Sequence, residues 1–112
     1  KLFVALKNNN LIADDTDSVS FLSAFNGVEI SKIYKKIKWI GSKNLCVYFI
    51  IQLLENTLIE NENMWSQLEK LFLDKTGKSM KGGAGIKNKM ISQEISYPNG
   101  SIKIDSILKK IN

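Results

Sequence analysis

The stretch KIKWIGSKNLCVYFIIQLLEN, residues 36–56, decides how this chain is read. A Trp-Ile-Gly-Ser-Lys step, Trp39 to Lys43, runs into ten residues, Leu45 to Leu54, of which only Gln52 is polar. Leu45, Phe49, Ile50, Leu53 and Leu54 fall at helical spacing, and Cys46, Val47 and Ile51 make the opposite side apolar too. A helix that is apolar all round belongs at the centre of a fold. Ser42 is placed to cap it, because its hydroxyl can accept from the first free N–H groups. Trp39 is then expected to pack down onto the core, with Gly41 and Ser42 launching the helix. An apolar run of ten residues is too short for a membrane span, which needs roughly 20.

Outward from this helix the pattern stays helical. Leu58-Ile59 reads as a short extended dipeptide, and Asn61 or Asn63 as the cap of a second helix carrying Met64, Trp65, Leu68, Leu71 and Phe72 inward. Gly77 is the expected left-handed stop of that helix. A glycine-loose basic segment, residues 78–89, follows, with a helix expected over residues 86–91. In the tail, Pro98-Asn99-Gly100 is a strong turn. The residues after it read best as a closing helix through Ile104, Ile107, Leu108 and Ile111. A small C-terminal β-hairpin, suggested by the alternation of Ile95, Tyr97, Ile102 and Ile104, is the alternative.

The first part has the same order of features. Shifted by 47 residues, Leu2 to Phe25 aligns with Phe49 to Phe72, with identities at Leu6/Leu53, Asn9/Asn56, Leu11/Leu58, Ile12/Ile59 and Phe25/Phe72. The expectation is one mainly α, compact helical domain over residues 1–112, with an internal pseudo-repeat of halves 1–38 and 39–112. In the first half Ile30, Ile33, Tyr34 and Ile37 form one stripe, leaving Lys32, Lys35, Lys36 and Lys38 toward solvent.

Composition narrows the chemistry. All sixteen basic residues are lysine, and there is no histidine and only one cysteine. Lys, Asn and Ile make up 42 of 112 residues, the mark of an AT-rich genome. Zinc sites, Ser-His triads and Cys-His dyads are excluded within the chain. A lone Cys46 inside the apolar run is a small hydrophobe and suits a reducing cytoplasm. Lys1-Leu2-Phe3-Val4 opens without a Met, as a trimmed fragment would. Thr76-Gly77-Lys78-Ser79 echoes a phosphate loop, but the pattern needs glycine where Phe72 stands. Asp14, Asp15 and Asp17 lack the glycine and distant Glu of a calcium loop and suit a helix N-terminus instead. No cofactor and no enzymatic activity are expected.

Charge is blocked along the chain: residues 1–30 carry −2, 31–45 carry +5, 46–74 carry −4 and 75–112 carry +6. Basic blocks suit a polyanion. Buried helix, short strand, amphipathic helix, Gly turn and basic segment is the order of a helix-turn-helix or winged-helix module, with the Pro98-Asn99-Gly100 hairpin as the wing. On that reading Lys78, Lys81, Lys87 and Lys89 lie on or near the DNA-reading element, and Lys32, Lys35 and Lys36 form a second basic segment. The rival is a protein-interaction module or homodimer built on alternating acidic and basic faces, with no nucleic acid bound.

Several pieces carry a resemblance: Asp15-Thr16-Asp17; Phe21 with Phe25-Asn26-Gly27; Ile37-Lys38-Trp39-Ile40-Gly41-Ser42-Lys43; Tyr48-Phe49-Ile50; Trp65 to Phe72; and Ile104-Asp105-Ser106-Ile107-Leu108. Together they resemble a set of small proteins and C-terminal domains of Bacteroidetes. The Trp-x-Gly-Ser-Lys-x-x-Leu element is similar to one in the RteC regulators of conjugative transposons. The resemblance implies association with mobile elements and transcriptional control, with the C-terminal region binding DNA. The matching positions are core positions, so no functional residue is carried over.

Overall fold

The computed structural model describes residues 2–18, 21, 36–55 and 64–111. It is mostly helical, with a two-stranded sheet. The elements are α1 (Leu2–Asn8), β1 (Ile37–Lys38), α2 (Lys43–Glu55), α3 (Met64–Leu71), β2 (Phe72–Leu73), α4 (Gly83–Ile91) and α5 (Ser101–Ile111). The radius of gyration, 12.9 Å, is that of a compact domain of this length. Among the described residues no helix is long and apolar enough to cross a membrane.

α2 is the centre, as its sequence dictates. Leu45 through Ile51 and Leu53 are all buried, and α4 and α5 both pack on it. Its start is held in two ways. The Ser42 hydroxyl accepts from the Leu45 N–H at 3.1 Å, and the Trp39 indole N–H donates to the Ser42 carbonyl at 3.0 Å. Trp39 is fully buried and stacks on Phe49 with ring centroids 5.4 Å apart. Gly41 is required between them, since a Cβ there would meet the Trp39 Nε1 at 2.9 Å. Leu53, Leu68 and Phe72 join the same core, while Trp65 is half-buried at its margin.

β1 and β2 pair in parallel, Ile37 opposite Phe72 and Lys38 opposite Leu73. Main-chain bonds extend this ladder on both sides. Ala13 N–H donates to the Lys38 carbonyl and Ile40 N–H to that of Leu11, and the Ile12–Trp39 bridge is antiparallel. On the other side Leu73 bridges Ser79. The ladder thus ties the N-terminal segment to the centre and the centre to the C-terminal half.

Three expectations change here. The helix containing Leu68 stops at Leu71, and Phe72–Leu73 is strand, because both residues find main-chain partners on β1. Gly77 is left-handed, φ 87°, yet it serves a tight turn after β2, not a helix end. The C-terminal hairpin, and with it the wing, is absent among the described residues: Ser101–Ile111 is one helix burying Ile104, Ile107 and Leu108, with Ile102 and Tyr97 left exposed. Burial at helical spacing outweighs the alternation. The Leu58-Ile59 strand lies outside the described residues.

Candidate nucleic-acid interface

The stretch from Lys75 to Gln93 holds five lysines and no carboxylate. Its first part is a tight turn. The Asp74 carboxylate accepts from the Thr76 hydroxyl at 2.6 Å, the Thr76 N–H at 2.9 Å and the Lys78 N–H at 3.0 Å. The Thr76 hydroxyl and then the Lys78 N–H hold the Asp74 carboxyl below its usual range. Asp74 N–H donates to the Lys78 carbonyl and Met80 N–H to that of Phe72, so the turn returns the chain alongside β2. Lys75 and Lys78 are exposed on it.

Gly82, at φ 79°, then redirects the chain into α4. Gly83 seats the helix on α3, where a Cβ would fall 2.2 Å from the Leu68 side chain. Met90 buries the other end, and Ile86 is half-buried between them. α4 therefore packs by one face against α2 and α3 and offers the other to solvent.

The lysines divide on this frame. Lys78, Lys81 and Lys89 are exposed. Lys87 is half-buried, with its ammonium 5.2 Å from the centroid of the Trp65 ring, a cation–π contact that turns it toward α3. Lys36 is exposed immediately before β1; Lys32 and Lys35 lie outside the described residues. The α3–α4 connection spans residues 72–82 and includes β2 and the tight turn, longer than the three to four residues of a helix-turn-helix. Lys103, Lys109 and Lys110 are exposed on α5.

Two of the hollows that border α4 lie at its ends. One, of about 220 Å³, lies between α3 and the start of α4, bounded by Trp65, Leu68, Glu69, Met80 and residues 82–85. The other, about 320 Å³, lies beyond the end of α4 against Met90, Ile95 and Tyr97, with Ile91 and Tyr97 exposed beside it. Neither collects catalytic groups. Among the described residues no three His, Cys, Asp or Glu side chains are grouped to hold a metal ion. The Cys46 thiol is fully buried, and burial pushes its pKa up, away from the reactive thiolate. Sequence reasoning missed the Lys87–Trp65 contact and the Asp74 turn. For the turn, Asp-x-Thr-Gly was a legible signal; for the contact nothing local was.

No family model, curated protein or solved structure matches this chain.

Proposed function

We propose that this chain is a cytoplasmic DNA-binding regulatory domain associated with a mobile element, and that α4 and the turn before it meet the duplex. One observation carries the reading. The carboxylate-free lysine stretch is not scattered: it forms a turn and a helix whose inner face is fixed on the core while Lys78, Lys81 and Lys89 stand in solvent. Fixed cations on a rigid element are what phosphate contacts need. In this reading α3 and α4 act as a helix-turn-helix-like pair in which the usual short turn is replaced by β2 and its hairpin. Lysines acting as point charges on phosphates give affinity; without arginine they do not supply the bidentate guanine contact.

The test is a duplex titration at about 50 and 200 mM salt. Phosphate binding weakens steeply between them. Neutralising Lys78, Lys81 and Lys89 lowers the salt slope by about one unit for each phosphate that no longer meets a cation, whereas neutralising Lys109 and Lys110 on α5 leaves it unchanged. A parent domain that binds no duplex at low salt ends the proposal. The second reading, a protein-interaction module, rests on exposed Ile91 and Tyr97 beside the apolar hollow at the end of α4. A dimer on sizing, together with indifference to DNA, favours it.

A further inference from the structure

Two stretches of the chain carry lysine with no carboxylate among them. Residues 75–93 are one; residues 36–54, with Lys36, Lys38 and Lys43, are the other. They lie far apart in sequence, and the β1–β2 ladder sets them side by side. Lys38 stands opposite Leu73 in the parallel pair, and the Trp39 N–H donates to the Leu73 carbonyl at 2.9 Å. Asp74 and the tight turn with Lys75 and Lys78 follow at once.

Strand alternation decides which side chains face outward. Ile37 and Trp39 are buried, so Lys36 and Lys38 take the other face of the ladder. Lys36 is exposed, and Lys38 is half-buried beside Leu73. Lys43, half-buried at the start of α2, lies near the join: after the Thr76 and Lys78 bonds, its charge also lowers the Asp74 carboxyl. Asp74 is the carboxylate at that join, and its Oδ1 is taken up by three bonds within the turn. Lys36, Lys38, Lys43, Lys75 and Lys78 make no ion pair and no ring contact among the described residues. Lys7 over Phe3 and Lys87 over Trp65 are the contrast. Like charges gathered by folding repel one another, a cost that a bound polyanion removes. The gathering ends on the far side of β1, where the Ala13 N–H donates to the Lys38 carbonyl and exposed Asp14 and Asp15 follow.

Resting on the DNA-binding reading, we infer that the phosphate-binding surface extends from α4 and its turn across the β1–β2 ladder to the start of α2. Lys36, Lys38 and Lys43 meet the duplex backbone together with Lys75 and Lys78. Asp14 and Asp15 set the edge of that surface by repelling phosphate. A surface built this way exists only while β1 pairs with β2, because the ladder is what joins Lys38 to the turn.

The experiment is the duplex titration at about 50 and 200 mM salt, with Lys36→Gln, Lys38→Gln and Lys43→Gln combined, and with the same three positions changed to Arg. The Gln set is expected to flatten the salt slope by about two to three units at an unchanged melting temperature. The Arg set, which keeps the charge, is expected to hold the parent's slope. A Gln set with the parent's slope, while neutralised Lys78, Lys81 and Lys89 still lower it, overturns the inference and leaves the DNA-binding reading standing. An Arg set that fails as the Gln set does assigns the loss to structure and overturns it too. Should the Gln set melt early, Asp14→Asn with Asp15→Asn decides. That variant changes the potential at the edge without touching a lysine, and is expected to tighten binding about two- to fivefold at the lower salt and less at the higher. Unchanged binding there overturns the inference. A parent that binds no duplex ends both readings together.

Discussion

α2 and α4 are neighbours in the fold and opposites in design. α2 buries eight of its thirteen residues; α4 buries two of nine. The start of α2 is fixed by a side-chain cap, an indole bond and a glycine wedged under that indole. α4 begins on a left-handed glycine with no side-chain cap. The contrast shows two ways of holding a helix. Apolar surface on every side holds α2 wherever it lies, at about 25 cal/mol per Å² removed from water. α4 is held by where its neighbours leave room, and its other face is left free to be used.

The largest effect separating the two is expected at Phe49. Truncation to Ala removes the ring stacked on Trp39 in the middle of α2 and should cost about 3–5 kcal/mol in a urea melt. A Phe49→Ala domain as stable as the parent would mean that α2 is not the keystone.

Gly83→Ala probes how α4 is seated. The added Cβ would fall on the Leu68 side chain, so α4 must lift from α3 or Leu68 must leave its rotamer, at about 1–3 kcal/mol. The signature to seek is lower stability together with altered fluorescence of Trp65, which lines the same hollow. A neutral substitution would show that α4 is not closely docked there.

The smallest effect concerns the join between α2 and α5. The Tyr48 hydroxyl donates to the Asp105 carboxylate at 2.6 Å, and burial followed by that bond pushes the phenol pKa up. The folded state therefore keeps the proton that the unfolded chain releases near its ordinary value of about 10. Stability from this pair is full below that pH and is lost as pH rises above it. Tyr48→Phe should cost about 0.5–1.5 kcal/mol at neutral pH and flatten the alkaline arm of the stability profile. An alkaline arm identical in parent and variant would assign that loss to other groups.

Much of α2 was legible because its causes are local. The Ser42 cap acts over three residues and the apolar period over four, so Trp39, Phe49 and Leu53 could be placed in the core from spacing alone. The closing helix was likewise legible in Ile104, Ile107 and Leu108, once burial is ranked above alternation. The candidate interface was half legible: a lysine-rich segment with no carboxylate is visible in sequence, but which lysines face outward is not.

The sequence by itself determined the all-round apolar helix, its cap, the left-handed glycine at 77 and the turn before α5, since each follows from interactions within a few residues. Tertiary structure alone decided that Phe72–Leu73 leaves the helix to pair with Ile37–Lys38, that Lys87 turns to Trp65, and that Gly83 is packed while Gly85 is open. Those outcomes join groups twenty or more residues apart in the chain or depend on which helix lies alongside. No local pattern encodes such a choice: a strand pair, a cation over a ring or a forbidden Cβ exists only once the core has fixed where the partners stand.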